Sequence, residues 1–557
     1  MSFVDVFLAN LSDNPDRAFV TEVHCASGPG APLPPGKERM VPTRGGRLRE
    51  MVEQARRALR AQGVQPGDRV VLVAPNSARW VACDLAILAE GATCVPMYAR
   101  QAAGELVLMM RDCDPRLVVV DGAELEASIG ACSPPAPMIS LDALFAGTPP
   151  SSLEPARRLP AGHVVTIIYT SGSSGEPKGV MTTVENVEHM LPVLDAKLRE
   201  LKGGPGGRDR VFHYLPFCFA GSRMVLWGCL FRANGIFLST NLEDLARELR
   251  AAAPEYFLNV PALLERVRAG VEKKLAERPL PLRVAYERAI ESFRRLRAGE
   301  ARLRDRAVVA AAKAVIFPKI REQIGNQIVG LICGSAPLAE ETQAWFSDLV
   351  GIPVYQVYGL TETTAIVSID RVDGVVPGRV GHPITGCDVR LGEHGELQVK
   401  GPNVFPGYFR REGASRDAFT SDGWFRTGDQ ATIDTRGTLQ IIGRVKNILV
   451  PSSGHNVAPE PIEQLLMERV PGVAQAVVIG HGRPYLVALL AGVSDRDAAD
   501  RAIESVNEGL PHYRRIRKIH VEAHPLTIES GMLTANQKLR RQAIEAHFAR
   551  QIDALYA

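Results

Sequence analysis

Apolar residues near the start of the chain fall in short continuous runs separated by longer amphipathic stretches. The segment Asp68-Arg-Val-Val-Leu-Val-Ala74 reads as a buried strand, and Pro75-Asn-Ser77 then offers a helix start with Ser77 as N-cap. Residues 78–90 are helical in composition and Gly91 ends them. Thr93 to Met97 reads as a second strand, Leu106 to Arg111 as helix, and Leu117-Val-Val-Val-Asp121 as a third strand. Strands alternating with helices imply βαβ units and a mainly parallel sheet covered on both faces.

Further along, Cys132-Ser-Pro-Pro-Ala-Pro137 and Gly147-Thr-Pro-Pro-Ser-Ser152 read as surface loops. Residues 281–306 read as helical, with eight Arg against four acidic residues and Leu282, Tyr286, Ile290, Phe293 and Leu296 at helical spacing. A helix packed on the body with a solvated basic face accounts for this pattern; contact with an anionic membrane surface or a phosphorylated ligand is the sharper alternative. After Gly443 the sequence turns loop-like around Pro451-Ser-Ser-Gly454 before alternation resumes. That shift places a domain boundary at 443/444. No internal repeat is visible.

A length of 557 residues allows roughly three or four structural units. The net charge of +3 gives no reason to expect a nucleic-acid partner. Nine scattered cysteines without a C-x-x-C pair read as reduced, mostly buried thiols of a cytoplasmic protein. The N-terminal stretch lacks a basic region and carries Asp5, so it does not read as a secretory signal. No run of about 18 apolar residues occurs, so no membrane-spanning helix is expected.

The densest chemistry lies in Ile167-Ile-Tyr-Thr-Ser-Gly-Ser-Ser-Gly-Glu-Pro-Lys-Gly-Val180, where an apolar strand runs into a loop of Gly and hydroxyl residues ending in Lys178. Small residues let backbone N–H groups close on phosphate oxygens, hydroxyls add donors, and the lysine adds charge. The loop is not a Walker A motif, because Pro177 precedes the lysine and Gly179 follows it. It is not a nucleophile elbow either, because Gly172-Ser-Ser-Gly175 lacks the five-residue spacing. Alone, it could equally be a surface turn.

Three more segments follow in order: Tyr358-Gly-Leu-Thr-Glu-Thr363, Gly423-Trp-Phe-Arg-Thr-Gly-Asp429 and Gly443-Arg-Val-Lys446. This set resembles the adenylate-forming superfamily of acyl-CoA synthetases, luciferases and adenylation domains over nearly the whole chain. Phe257-Leu-Asn-Val-Pro261, Ile316-Phe-Pro-Lys-Ile-Arg-Glu322, Cys333-Gly-Ser-Ala-Pro-Leu338, Asn456-Val-Ala-Pro-Glu-Pro-Ile-Glu463 and Gly482-Arg-Pro-Tyr-Leu-Val-Ala488 look like its long-chain acyl-CoA synthetase branch. The resemblance implies an α/β protein (α+β overall): a large N-terminal domain of layered sheets and helices, residues 1–443, and a small mobile C-terminal α+β domain, 444–557. It implies activation of a carboxylic acid, medium- to long-chain, with ATP and Mg²⁺, then transfer to coenzyme A.

Residue by residue, the resemblance assigns Thr170, Ser171 and Thr361 to the nucleotide's phosphates, Gly172, Ser173, Ser174, Gly175, Lys178 and Gly359 to nucleotide binding, and Glu362 to Mg²⁺. Gly334, Ser335, Ala336 and Tyr358 should line the adenine pocket. Asp429 and Arg444 match the ribose-binding positions, Lys446 the hinge, and Lys538, in Thr527-Ile-Glu-Ser-Gly-Met-Leu-Thr-Ala-Asn-Gln-Lys-Leu-Arg-Arg541, the catalytic lysine. Phe219 and Arg223 are assigned to the acyl pocket and Gly454 to the CoA tunnel.

Two segments depart from the family pattern. Leu215-Pro-Phe-Cys-Phe219 carries Phe219 where the synthetases often carry His, and Met181-Thr-Thr183 replaces a hydroxyl-plus-His pair. Cys218 stands where amino-acid-activating domains place an Asp for the substrate ammonium, which disfavours amino acids. A fatty acyl-AMP ligase loading an acyl-carrier protein is the competing function, and a non-catalytic nucleotide-binding sensor is the alternative of another class.

Overall fold

The valine-rich run folds as the strand Arg69–Val73, buried from its second residue onward and hydrogen-bonded to parallel strands on both sides. In this computed structural model, residues 2–25, 34, 36–148, 152–171, 177–204, 208–452, 455–534 and 538–557 are described. The strand sits inside a six-stranded sheet ordered Met138–Ser140, Leu117–Val120, Arg69–Val73, Thr93–Met97, Val164–Ser171 and Pro177–Thr183. All neighbours are parallel except the last pair, an antiparallel hairpin. A strand covered on both faces needs no polar alternation, which is why the sequence run is continuous.

Ser77 caps the following helix, Ala78–Ala89, its hydroxyl accepting from Trp80 N at 3.1 Å, and Gly91 closes it at φ +74°. Every residue of this helix except Arg79 is buried, since it packs against strands of two different sheets. The second is a nine-stranded sheet, ordered His382–Pro383, Ser368–Ile369, Val354–Tyr358, Gly330–Cys333, Tyr256–Asn259, Arg210–His213, Gly235–Ser239, Ala18–His24 and Arg39–Arg44. Its interior is parallel and its two ends are antiparallel.

Residues 281–306 are helical but not one helix. Leu280–Arg297 and Leu303–Val315 form a hairpin broken around Gly299 at φ +76°. Tyr286, Ile290 and Phe293 point into the core beside Phe317 and Trp345, as their spacing predicts. The basic face is largely self-neutralised: Arg294 pairs with Glu341 at 2.8 Å, Arg295 with Asp305 at 3.0 Å and Arg297 with Glu340 at 3.6 Å.

The chain divides into two compact units, residues 1–387 with 400–417, and 388–399 with 418–557. The expected boundary at 443/444 falls at the end of strand Leu439–Arg444, inside the second unit. That unit holds a four-stranded sheet (Asp388–Leu391, Glu396–Lys400, Phe425–Ile433, Leu439–Arg444) and a three-stranded sheet (Gln475–Ile479, Leu486–Ala491, Ile516–Glu522). In the smaller sheet the period-2 rule separates two cores: Ala476, Val478, Ala488 and Leu490 face one cluster, while Val477, Ile479, Val487 and Leu489 face the other. All nine cysteines are free and eight are buried. Among the described residues, no helix is long and apolar enough to cross a membrane.

Candidate active site

The strands that flank the Gly- and Ser-rich segment pair with each other as an antiparallel hairpin. Strands Val164–Ser171 and Pro177–Thr183 pair in the register Tyr169↔Gly179, Thr170↔Lys178 and Ser171↔Pro177. Directly opposed residues share a face, so Thr170 and Lys178 stand side by side at the end of the hairpin that leads into residues 172–176. Residues 172–176 lie outside the described residues, and with them Gly172, Ser173, Ser174 and Gly175; of Ser171 only the backbone is described. The Tyr169 hydroxyl anchors the hairpin by donating to Asp112 Oδ2 at 2.6 Å.

A second segment docks along the hairpin's outer strand. Phe409 N donates to Gly179 O at 2.8 Å and Met181 N donates to Gly407 O at 3.3 Å. A Cβ at Gly179 would lie 2.7 Å from Ile167 Cγ2, so the strand needs glycine there. This docking sets Tyr408 under Lys178, whose ammonium lies 5.2 Å from the ring centroid, a cation–π contact. The Tyr408 hydroxyl donates to Glu362 Oε1 at 3.0 Å. Lys178, Tyr408 and Glu362 thus form one chain of contacts across three segments.

Glu362 belongs to a single 3-10 turn, Thr361–Thr363, that follows the parallel strand Val354–Tyr358. Leu360 N donates to Thr363 Oγ1 at 2.9 Å, and Phe405 N donates to Glu362 O at 2.8 Å, so the turn is held at both ends. Gly359 has no room for a side chain: a Cβ would meet Ala365 O at 2.1 Å. The neighbouring strand Gly330–Cys333 ends in Gly334, where a Cβ would meet Val357 O at 2.8 Å. Ser335, Thr364 and Ala365 take left-handed backbone at φ +74°, +48° and +78°. These left-handed non-glycine residues gather in loops at the carboxyl ends of parallel strands, the edge where open α/β sheets take ligands. Ser335, Ala336 and Tyr358 share that edge.

Elsewhere in the first unit, Asn76 pins the Leu215–Phe219 segment, accepting from Phe217 N at 2.9 Å and donating to Leu215 O at 2.8 Å. Half-buried Phe219 lies with its ring centroid 6.0 Å from that of Tyr98. Arg223, in contrast, is in the core. Its side chain is 1% exposed, donates to Asp84 Oδ1 at 2.6 Å and to Thr166 Oγ1 at 3.3 Å, and lies over the Trp80 and Trp227 rings. The structure gives it no surface to offer an acyl chain. His213 stacks on Phe217 at 5.1 Å, and burial pushes its imidazole down to about 4, so it is neutral near pH 7. Thr183 caps helix Val184–Lys202 in a reciprocal pair with Asn186.

In the second unit, Asp429 and Arg444 are cross-strand partners, joined at 2.8 Å. Asp429 is nearly buried and Arg444 half exposed, its Nη1 also donating to Thr427 O at 3.1 Å. Lys446 is exposed on the turn Val445–Asn447. Lys538 is exposed on a short hairpin closed by the Leu533–Leu539 bridge, with Thr534 N donating to Lys538 O at 2.8 Å. Gly454 lies outside the described residues.

Among the described residues no group of three metal-binding side chains occurs. Magnesium held by one carboxylate together with substrate phosphates and water needs no such cage, and Glu362, half-buried at the loop edge, fits that role. Tyr408 and Asn76 escape sequence reasoning; the turn Pro406-Gly407-Tyr408 is the single local signal for the first.

A family profile described as AMP-binding enzyme matches residues 45–409, and one for the AMP-binding enzyme C-terminal domain matches 446–557. The long-chain-fatty-acid–CoA ligase FadD15 of Mycobacterium bovis is 30% identical over 542 residues, covering 89% of each chain. The chloroplastic long-chain-fatty-acid–[acyl-carrier-protein] ligase AEE15 of Arabidopsis thaliana is 25% identical over 596 residues, covering 90% of this chain and 80% of that protein. Among solved structures, the adenylation domain of a carboxylate reductase from Mycobacterium chelonae superposes with a TM-score of 0.76 at 23% identity, covering all of this chain and 91% of that one.

Proposed function

Since the chain belongs to the AMP-binding enzyme family, close to its long-chain acyl-CoA synthetase branch, we propose that it is an AMP-forming acid–CoA ligase acting on medium- to long-chain fatty acids. The observation that carries the site assignment is the Lys178–Tyr408–Glu362 chain of contacts at the end of the hairpin that leads into residues 172–176.

In the first half-reaction a carboxylate oxygen of the acid attacks the α-phosphorus of ATP, and the bond to pyrophosphate breaks. No base is required, because a carboxylic acid near pKa 4.3 is already ionised at neutral pH. The protein's task is alignment and charge neutralisation. Thr170, Ser171, the 172–175 loop, Lys178 and Thr361 hold phosphate oxygens. Gly334, Ser335, Ala336 and Tyr358 receive the adenine, Asp429 and Arg444 the ribose hydroxyls, and Lys538 bridges the acid and the α-phosphate. Glu362 would hold magnesium, which would supply neutralisation of phosphate charge. In the second half-reaction the CoA thiolate attacks the acyl carbonyl, the carbon–oxygen bond to AMP breaks, and AMP departs. We place the joint between domains 1–443 and 444–557 at Lys446, which the restart of the family match at 446 supports, and assign Gly454 to the CoA path.

CoA is favoured over a carrier protein because strands Phe425–Ile433 and Leu439–Arg444 close through a tight turn. Asp434 Oδ1 accepts from Arg436 N and Thr438 N at 2.9 Å, and Gly437 takes φ +80°. That connection lacks the extra segment that carrier-loading acyl-AMP ligases typically carry between the Gly423–Asp429 motif and the hinge. Phe219 and Tyr98 supply apolar lining suited to a fatty chain. A non-catalytic sensor is disfavoured by the retention of Thr361, Glu362, Asp429, Arg444 and Lys538. Nine free thiols suit a cytoplasmic setting. Membrane contact through the 281–306 face is weakened by the ion pairs of Arg294, Arg295 and Arg297. The test is pyrophosphate release across a panel of acids with and without CoA. Fatty acids should support release and yield acyl-CoA; release without acyl-CoA across the panel would transfer the reading to a carrier protein.

A further inference from the structure

Strands Gly330–Cys333 and Tyr256–Asn259 lie side by side in the middle of the nine-stranded sheet, where apolar residues are normally buried on both faces. Phe257 and Leu331 oppose each other and sink into the core shared with the 280–315 hairpin. Leu258 and Ile332, the next pair in the same register, point to the opposite face and remain half-buried.

Helix Ala220–Phe231 brings Gly221 against that pair. A Cβ at Gly221 would meet Leu258 Cδ2 at 3.5 Å, an ordinary contact, and nothing else within 4 Å outside the helix backbone. Its φ is not in the left-handed region. Gly228 in the same helix differs, because its Cβ would lie 2.8 Å from Leu194 Cδ2. Packing therefore accounts for Gly228 but not for Gly221, and glycine weakens a helix relative to alanine. What the missing side chain leaves is room beside a half-buried apolar pair.

That room adjoins the site. Asn259 follows Leu258, and its carbonyl accepts from Gly334 N at 3.1 Å, which ties the pair to the proposed adenine edge. Phe219, in contact with Tyr98, starts the helix two residues before Gly221. Val225, one turn further along the same helix face, is also half-buried.

We propose that the acyl chain of the acid runs over Gly221, against Leu258 and Ile332, and that the missing side chain at 221 is what admits a long chain. The inference rests on the fatty-acid reading above. Gly221, Val225, Leu258 and Ile332 offer no polar side chain, so methylenes removed from water gain there. The pantetheine arm of CoA suits the crevice less, because its amides would find no side-chain partner among these four residues.

The test is pyrophosphate exchange by the full chain, read without CoA, across straight-chain acids from butanoate to hexadecanoate. Gly221→Leu should lower the ratio of kcat/KM for hexadecanoate to that for butanoate by about tenfold or more, and Gly221→Ala should lower it less. Gly221→Ala should also melt at or above the wild-type temperature. A chain-length profile unchanged in both variants, or an equal loss for every acid, would overturn the proposal. So would a Gly221→Ala protein that melts well below wild type, since that would assign the glycine to folding. Wild type that exchanges pyrophosphate with none of these acids would overturn the fatty-acid reading and the proposal with it, an outcome distinct from the others.

Discussion

Arg541 and Glu463 form an ion pair inside the second unit, and the same carboxylate accepts from Val478 N at 2.7 Å. Arg541 follows Lys538 by three residues, so the pair fastens the base of the hairpin that carries the lysine. Glu463→Gln removes the principal counterion of a half-buried guanidinium, leaving Glu460 and Glu545 as its neighbouring acids, at a cost of about 1–3 kcal/mol. The expected outcome is a lower melting temperature and a loss of adenylation rate in pyrophosphate exchange. Thiolysis of presynthesised acyl-AMP should hold near wild type, as it should for Lys538→Ala. Equal loss of both half-reactions in Lys538→Ala would overturn the assignment of the lysine to the first step alone.

Tyr408 joins two groups of opposite charge, and the two contacts can be separated. Tyr408→Phe keeps the ring beneath Lys178 and removes the hydroxyl that donates to Glu362. A hydrogen bond to a charged group is worth about 1.5–3 kcal/mol, so kcat/KM for Mg·ATP should fall roughly ten- to hundredfold. Tyr408→Leu, which loses both contacts, should fall further. Steady-state kinetics with varied ATP at saturating fatty acid would decide; an unchanged Tyr408→Phe would show that Glu362 is positioned by its backbone alone.

The difference between what the sequence reveals and what it hides follows from range. Strands at 69–73, 93–97 and 117–120 and the Ser77 cap are legible because their signals, continuous burial and a local hydrogen bond, are written within a few residues. Glu362 is legible through its motif, but its partner Tyr408 lies 46 residues away, and no periodicity links them. Arg223 misleads for the same reason. An arginine in an apolar helix near Phe219 suggests a pocket lining, while Asp84, 139 residues earlier, takes its charge into the core. The break near Gly299 is missed because helical composition persists on both sides of it.

The Asp84–Arg223 pair yields its own prediction. Arg223→Met leaves Asp84 buried without its cation, and burial already pushes that carboxyl up despite the arginine. Loss of one partner of a buried pair costs about 3–5 kcal/mol. Pairing it with Asp84→Leu should recover much of that loss, since an apolar pair removes both desolvation penalties. Chemical denaturation of the single and double variants measures this. The folded double variant should keep the wild-type ranking of acids; an altered ranking would return Arg223 to the acyl pocket.

Asp370 gives a pH dependence whose sign can be worked out. Its side chain is buried, Oδ2 accepts from Gln356 N at 2.8 Å, and Oδ1 has no hydrogen-bond partner among the described residues. Burial pushes the carboxyl from 3.8 up to about 7, opposed by that one backbone donor. Between these values the folded chain holds a proton that the unfolded chain has released. Folding stability contributed by this group is therefore greatest at low pH, declines as pH rises from about 4 to about 7, and is flat above. Asp370→Asn keeps an acceptor for Gln356 N and removes the charge, so it should match wild type near pH 4. At pH 8 it should be more stable, by up to about 4 kcal/mol at ~1.4 kcal/mol per pH unit. Urea denaturation of both proteins across this range isolates the effect, because every other titrating group cancels in the difference. A variant less stable than wild type at pH 8 would mean that the Asp370 carboxylate is paired when ionised.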